Sequence, residues 1–266
     1  MEFKLDELIE FKQCPFKYRY IKQGVKEGTD TLLGRYNMNY ALNQMAIGFY
    51  KSIEKEEKFS ANEIKSEFIK YFSGINNIDE LIRKQNRSIR SGDSLLLGRT
   101  QRVRKILNNF ISDYSDKPGY PIITEWSFNL KLGEHNIAGS IPIVRKRENR
   151  TEIFNILDDT VKINDDIKRN YIKYHIHYLI YKNKVKELNN DVDSDPYVVL
   201  YKANESQERV IDVSKNDTDS ALEELYNIIS IIENDLYFKS VGKTCKQCGF
   251  VKACTDKMHD LEVDKN

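Results

Sequence analysis

The chain has 266 residues, of which 40% are hydrophobic and 31% are charged, a composition typical of a globular protein with a sizeable core. No stretch approaches the roughly 18 apolar residues that span a bilayer, and Glu2 and Lys4 argue against a signal peptide at the start. We therefore expect an intracellular, cytoplasmic protein without a membrane partner. Cysteines stay reduced in that compartment, so a cysteine cluster indicates a metal before disulfides.

The formal net charge of +1 excludes no class of partner, but the charges are grouped along the chain. The main basic group comprises Arg83, Lys84, Arg87, Arg90, Arg99, Arg102, Arg104 and Lys105. A further basic group comprises Arg145, Lys146, Arg147 and Arg150, and acidic residues collect at Asp191, Asp193 and Asp195. Such segregation is compatible with contacts to a nucleic-acid backbone, and equally with a solvated helix face.

In chain order, the first half of the sequence is helical in pattern. Apolar residues at helical spacing predict one helix over residues 4–22 and others over 31–56, 60–71, 78–90 and 94–115. Ser60 and Glu63 form a capping box at the start of the third helix. Pro118 and Gly119 then end the helical run.

The pattern after Pro121 is that of a sheet. Strands are predicted over 122–132, 136–145 and 151–157, followed by a helix over 165–182, strands over 197–201 and 209–213, and a helix over 216–237. We expect one α/β domain with a central mixed sheet flanked by helices. Its parts are a helical half over 1–117, an α/β core over 118–240 and a cysteine-bearing tail over 241–266.

The cysteines form the most specific pattern in the chain. Three lie in one short segment and the fourth lies near the other end, directly before Pro15: Cys245, Cys248, Cys254 and Cys14. Four thiolates are the usual ligands of an iron–sulfur cluster and also of structural zinc. The isolated first cysteine favours the cluster, while zinc and four unrelated buried thiols stay open as alternatives. His259 is a weaker candidate for an additional ligand and more typical of a surface residue.

The segment from Leu5 to Tyr20 places aromatic and basic residues directly after Cys14 and Pro15. Together with the three late cysteines, it resembles the RecB-like branch of the PD-(D/E)XK nucleases that carry an iron–sulfur cluster. That group includes the CRISPR-associated RecB-like exonuclease and the nuclease domain of AddB. The resemblance covers nearly the whole chain. It implies a restriction-endonuclease-like core, a 4Fe–4S cluster held by the four cysteines, and DNA as a partner.

The resemblance also implies where catalytic residues belong. In such nucleases carboxylates bind Mg²⁺ or Mn²⁺ and a lysine orients or activates the attacking water. Glu125 matches the glutamate of the first strand. Pro142 stands in place of the metal-binding aspartate, and Asn155 and Leu157 stand in place of the second acidic ligand and the lysine. Glu125 is therefore expected to be a remnant, too little on its own to hold a catalytic metal.

Two helical motifs of the family are also altered. The histidine of the second helix has no counterpart in residues 34–39. The glutamine–tyrosine pair of the helix after the meander is matched by His177 and Tyr181. His175 and His177 are two positions apart on that helix and do not face each other, so we expect one partly buried and one exposed histidine rather than a metal pair.

A rescue of activity would need substitutes from nearby positions. Asp158 or Asp159 would have to replace the missing carboxylate, and Lys168 or Lys173 the missing lysine. Because four expected groups are altered at once, the pattern favours lost catalysis.

The sequence thus predicts a catalytically degenerate nuclease-fold protein. It would act as a DNA-binding or protein-interaction component of DNA metabolism, in replication, recombination or defence. The main basic group would contact phosphates, and Phe16 and Tyr20 are candidates for stacking on bases, although core packing is the commoner fate of such residues. The alternatives are an active Mg²⁺- or Mn²⁺-dependent DNA exonuclease with relocated catalytic residues, and a scaffold subunit of a larger complex without DNA contact.

Overall fold

A computed structural model describes residues 1–24, 38–57, 60–71, 93–157, 162–188, 195–213, 215–242, 245, 248 and 250–255. Its strands are β1 (Glu2–Lys4), β2 (Tyr120–Leu132), β3 (His135–Arg147), β4 (Arg150–Ile156), β5 (Tyr197–Lys202) and β6 (Gln207–Ile211). Its helices are α1 (Leu5–Gln13), α2 (Pro15–Lys22), α3 (Met38–Glu54), α4 (Ala61–Tyr71), α5 (Asp93–Tyr114), α6 (Ile163–Leu188) and α7 (Lys215–Glu233). The α/β class with a mixed sheet flanked by helices is confirmed.

The strands form one mixed sheet in which β3 pairs along its length with β2 on one edge. On its other edge β3 pairs with β1 near its start and with β4 near its end, and the sheet continues through β5 to β6. An antiparallel meander joins β2, β3 and β4, and β6 is antiparallel to β5. By contrast, β4 and β5 are parallel, with Phe154 opposite Val199. Parallel neighbours need a crossover connection, and α6 supplies it because it lies between these two strands in the chain.

Apolar side chains of alternate strand positions build a core on each face of the sheet. Ile143, Phe154 and Ile156 pack with the buried residues of α3, α4 and α5. Ile153 and Val198 pack on the other face against α6. A third cluster joins β1, α1, α6 and α7, and its buried residues include Phe3, Leu8, Ile172, Ile176 and Leu225. Burial of these side chains is the main source of stability, at about 25 cal/mol for each Å² of apolar surface removed from water.

The single helix expected over residues 4–22 is wrong in one respect, because the structure divides that segment. Residues Glu2–Lys4 form β1, parallel to β3, and two helices follow that meet at Cys14. Cys14 has extended backbone angles, with φ −162° and ψ 103°. Proline disfavours a helical conformation in the residue before it and is well tolerated at the first position of a helix, so Pro15 explains both the end of α1 and the start of α2.

Most of the other predicted helices and strands agree with the structure to within four residues. The helix expected over 165–182 continues to Leu188, and the start of the helix expected over 31–56 and the whole helix expected over 78–90 lie outside the described residues. The capping box is confirmed, since the Ser60 amide donates to the Glu63 carboxylate at 2.6 Å and the Glu63 amide donates to the Ser60 hydroxyl at 3.3 Å. None of the helices in the described part of the chain is long and apolar enough to cross a membrane.

The basic group at residues 145–150 is not a single exposed patch, because Arg145 is fully buried. Its guanidinium donates to Glu152 at 2.8 Å, to Glu208 at 3.0 Å and to the Tyr50 hydroxyl at 2.5 Å. Arg147 also pairs with Glu208. Buried charges need partners of opposite sign, so these two arginines serve the core between β3, β4 and β6. Arg150 is half-buried and donates to the same Glu152 at 2.5 Å, so only Lys146 of this group is exposed.

Candidate functional site

A cleft of about 480 Å³ opens beside the meander, on the side where α1, α3 and α6 approach the sheet. Strand residues form its floor: Glu125, Ser140, Pro142, Asn155, Ile156 and Leu157. Helix residues form its walls: Asp6, Ile9, Glu10 and Gln13 of α1, Asn43, Gln44 and Ile47 of α3, and Asp166, Asn170, Lys173 and Tyr174 of α6. The cleft is therefore polar and lined by amides, carboxylates and a few apolar side chains.

The four strand positions singled out from the sequence all line this cleft. Glu125 comes from β2, Pro142 from β3, and Asn155 and Leu157 from the end of β4. Glu125 reaches across to α3, where its carboxylate pairs with the Lys51 ammonium at 2.5 Å. The sheet therefore brings one carboxylate, one proline, one amide and one leucine to a common floor.

Glu125 has an unusual backbone conformation for a strand residue. Its φ of 56° lies in the left-handed region, which costs a residue with a Cβ roughly 1–2 kcal/mol. The neighbouring pairs Thr124–Ile143 and Trp126–Ile141 place it opposite Pro142. Strained backbone of this kind clusters at functional sites, so the conformation of Glu125 supports the cleft as a candidate functional site.

The helix after the meander contributes a hydrogen-bonded group that sequence reasoning missed. Asp166 is buried and accepts hydrogen bonds from the Asn170 amide at 2.9 Å and from the Tyr174 hydroxyl at 2.5 Å. Burial, reinforced by the Asp166 charge, raises the pKa of Tyr174, so its hydroxyl stays protonated and donates. Asn170 and Tyr174 are four residues apart, the same spacing that drew attention to His177 and Tyr181, and that spacing was the available signal.

His177 and Tyr181 lie two turns further along the same helix and are both buried. Neither ring nitrogen of His177 has a hydrogen-bond partner among the described residues. Burial, together with the nearby Lys173 ammonium, lowers the pKa of His177 to about 3, so the ring is neutral. The expectation of one partly buried and one exposed histidine is wrong, because His175 is only 7% exposed and His177 is completely enclosed.

Three carboxylates of the cleft are paired with lysines of the chain itself. Lys173 contacts Asp6 at 2.8 Å, Lys17 pairs with Glu10, and Lys51 pairs with Glu125. Partial desolvation would raise the pKa of Asp6, but the Lys173 ammonium outweighs it and lowers that pKa. Of the two lysines proposed as substitutes, Lys173 lines the cleft and Lys168 is exposed. Asp158 and Asp159 lie outside the described residues.

The cysteine-bearing tail packs against α2, the helix that begins directly after Cys14. The Tyr20 ring stacks on Phe250 with 5.7 Å between centroids, and its hydroxyl donates to the Ala253 carbonyl at 3.2 Å. Lys239 lies over the Phe16 ring and donates to the Cys254 carbonyl at 2.9 Å. Tyr20 is thus a core residue with 2% exposure, not a free surface for stacking on bases.

All four cysteines are half-buried and none forms a disulfide. Cys14 lies at the junction of α1 and α2, while Cys245, Cys248 and Cys254 follow one another along the tail. Burial raises the pKa of Tyr20, and the neighbouring thiols of Cys254 and Cys14 add to that rise, so both ends of the chain approach this hydroxyl. Reduced thiols from two sequence-distant segments fit the donor set of a thiolate-bound centre.

The arrangement of these thiols stops short of a formed metal site. Across the parts of the chain that the structure describes, no three or more His, Cys, Asp or Glu side chains are grouped as the ligands of one ion. This applies to the cysteines and to the cleft carboxylates alike. His259 lies outside the described residues.

The main basic group is described only in part. Arg83, Lys84, Arg87 and Arg90 lie outside the described residues, and of Arg99 only the backbone is described, on α5. Arg104 and Lys105 are exposed on α5, whereas Val103 and Ile106, which flank the pair, are buried. The described end of this group therefore projects from the outer face of α5.

Comparison with known proteins adds no relative to this picture. No family model matches the chain, and no curated protein is significantly similar to it in sequence.

Proposed function

We propose that this protein is a catalytically inactive RecB-like nuclease-fold protein that holds a 4Fe–4S cluster and binds DNA without cleaving it. The observation that carries the proposal is the cleft floor, where Glu125, Pro142 and Asn155 come together from three neighbouring strands. Mg²⁺ requires several oxygen ligands in near-octahedral geometry. A floor with one carboxylate, and with proline at the central strand, does not supply them.

The charges around the cleft support the loss of metal chemistry. Glu125 and Asp6 are each paired with a lysine ammonium, of Lys51 and Lys173 respectively. An ammonium in contact with a carboxylate offsets the negative charge that would otherwise attract a divalent cation. The negative charge of these two carboxylates is thus offset by lysines of the chain itself.

The order of the elements also supports the proposal. A helical first half is followed by a β2–β3–β4 meander, the α6 crossover and the parallel strand β5. The cluster part of the proposal is supported by the contact between the tail and α2, which brings the segment of Cys254 to the helix that follows Cys14.

The phosphates of DNA would be bound through the main basic group. Arg104 and Lys105 are exposed, so their guanidinium and ammonium groups are accessible to phosphates. Contacts of this kind release counterions and weaken steeply as the salt concentration rises. The reversal Arg104→Glu with Lys105→Glu tests this surface, because both side chains are exposed. We expect DNA affinity to fall at least tenfold, whereas Lys131→Glu, an exposed charge on β2, should change it little. Unchanged affinity after the double reversal would reject the surface.

A second function is favoured by one observation, the presence of Lys173 in the same cleft as Glu125 and Asp166. A lysine moved from the strand to α6 could serve a relocated active site. Lys173→Met and Glu125→Ala distinguish the two functions. If the enzyme is active, each change abolishes Mn²⁺-dependent cleavage of DNA. If the proposal of an inactive protein is correct, neither variant nor the unaltered chain cleaves.

A further inference from the structure

We propose that the cleft binds an unpaired nucleobase with an exocyclic amino group, adenine or cytosine, in the place where a metal-dependent nuclease would hold its scissile phosphate. This inference rests on the proposed function, since it supplies the cleft with the end of a bound DNA strand. It is carried by the chemistry of the lining, which differs in kind from that of a phosphate site.

The lining is rich in side-chain amides. Asn155 lies on the floor and Gln13 and Gln44 lie on the two walls. Neither glutamine has a hydrogen-bond partner among the described residues, so both are available to a ligand. An amide offers a donor pair and an acceptor side by side, the combination that reads the edge of a base, as asparagine and glutamine do with adenine.

The carboxylates of the cleft favour an amino group and disfavour a phosphate. Glu125 and Asp6 each engage one lysine, and an ionised carboxylate has about four acceptor sites, so each keeps capacity to accept from an exocyclic amine. Asp166 lies on the same wall. The four carboxylates of the lining outnumber the three lysines paired with them, so a phosphate would meet a net negative charge, which costs energy in a partly desolvated site.

The remaining wall residues suit the faces of a planar ring. Ile9 of α1 and Ile47 of α3 line the walls, and Pro142 lies on the floor. Pockets that receive extruded bases combine apolar contacts to the ring faces with hydrogen bonds to the ring edge. The volume of about 480 Å³ also lies within the size range of small-molecule sites.

The test is calorimetric titration of the full, cluster-loaded chain with adenosine, cytidine, thymidine and adenosine 5′-monophosphate. We expect adenosine or cytidine to bind about tenfold more tightly than thymidine, the size of discrimination that one good hydrogen-bond pair provides. The monophosphate should bind no more tightly than adenosine. Asn155→Leu and, separately, Gln44→Leu should weaken adenosine binding at least several-fold, while Asn129→Leu, on the exposed side of β2, should leave it unchanged.

Two results would overturn the inference: thymidine binding as tightly as both amino-bearing nucleosides, or the monophosphate binding tenfold more tightly than adenosine. Absence of binding by every nucleoside would overturn it as well. A gel-shift assay on the same preparation separates this from the proposed function. A chain that shifts DNA but binds no nucleoside loses only the inference, and one that binds adenosine but no DNA loses only the proposed function.

Discussion

Glu125 lies opposite Pro142 across the β2–β3 ladder, and the two residues form adjacent parts of the cleft floor. Proline has no backbone N–H and cannot donate to its neighbour in the ladder. At this point Glu125 leaves the extended conformation, with φ 56°, and its carboxylate reaches Lys51. Pro142 is thus adjacent to local strain in the strand that carries Glu125.

The positive φ of Glu125 predicts that glycine is more stabilising than alanine at this position, the reverse of the usual order in a strand. Both Glu125→Gly and Glu125→Ala remove the carboxylate and its partly exposed ion pair, but only glycine adopts positive φ without penalty. We expect Glu125→Gly to be more stable than Glu125→Ala by up to about 1 kcal/mol, the left-handed penalty less the extra entropy of unfolded glycine. Denaturant titration of the two variants gives the comparison.

The matched control is Ser127, two residues along the same strand, exposed and without positive φ. There Ser127→Gly should be less stable than Ser127→Ala by about 0.5–1 kcal/mol. If glycine were the less stable substitution at both positions, Glu125 would not be strained.

The element order was readable from the sequence because long periodic segments specify helices and strands directly. The meander and α6 are examples, with bounds that differ from expectation by a few residues. By contrast, β1 has only three residues and exists through its parallel pairing with β3. It is too short to show a period and was not predicted, and the single helix predicted over 4–22 passes through Cys14 although Pro15 indicates a break there.

The floor of the cleft was also predictable, and its α6 wall was not. The strand positions 125, 142, 155 and 157 were singled out through the resemblance to a nuclease family, and all four line the cleft. On α6 the pair that lines the cleft is Asn170 and Tyr174, seven residues before His177 and Tyr181. Seven residues are about two helical turns, so His177–Tyr181 and Asn170–Tyr174 occupy the same face. Periodicity alone cannot choose between them, whereas the position of the cleft along α6 does.

The buried charge of Arg145 could not be read from the sequence either, since its partners Tyr50 and Glu208 are distant in the chain. Replacing Arg145 with methionine would remove the fully buried cation of this network and leave Glu152 with Arg147 and Arg150 as partners. We expect a loss of about 2–3 kcal/mol in the free energy of unfolding, the range for hydrogen bonds to charged groups, because Glu152 is not left unpaired. The neighbouring exposed residue gives the control, because Lys146→Met should change stability by less than about 0.5 kcal/mol. A small effect at both positions would contradict the network.

His177 predicts a specific acid sensitivity. Its pKa falls from 6.5 to about 3 through burial and the charge of Lys173, so below pH 6.5 the unfolded chain takes up a proton that the folded chain refuses. The folded-state pKa is the lower one, and therefore stability is full above pH 6.5 and declines as the pH falls toward 3. The decline should approach about 1.4 kcal/mol per pH unit for one proton. In His177→Met the free energy of unfolding, measured between pH 7.5 and 5, should lose this dependence on pH. Only the smaller contribution of His175 should remain, because burial also lowers the pKa of His175.

Glu208 provides the control for that experiment, because it titrates in another window. Burial would raise the pKa of Glu208, but hydrogen bonds from Arg147 and Tyr114 and the charge of Arg145 lower it from 4.5 to about 2. Its contribution is therefore present above pH 4.5 and lost as the pH falls toward 2. Glu208→Gln should leave the slope between pH 7.5 and 5 intact, and an unchanged slope in His177→Met would contradict the assignment to the histidine.

The proposed cluster predicts that the two ends of the chain respond together. Cys14→Ser and Cys254→Ser should each lower bound iron and the broad absorbance near ~400 nm of anaerobically purified protein, as expected for thiolate-ligated iron–sulfur centres. Hydrogen exchange should then rise both in α2 and in residues 250–255, which contact each other through Tyr20. Tyr20→Phe removes only the hydroxyl and should keep the iron. Stoichiometric zinc without iron in the unaltered chain would contradict the cluster.

The most direct measurement is one gel in which cluster-loaded protein meets end-labelled single- and double-stranded DNA with Mn²⁺, read for both mobility shift and cleavage. We expect a salt-sensitive mobility shift of intact DNA. Neither the unaltered chain nor Glu125→Ala should cleave it. Cleavage that disappears in Glu125→Ala would contradict it and establish a working nuclease, and the absence of both shift and cleavage would contradict DNA binding and leave a scaffold role.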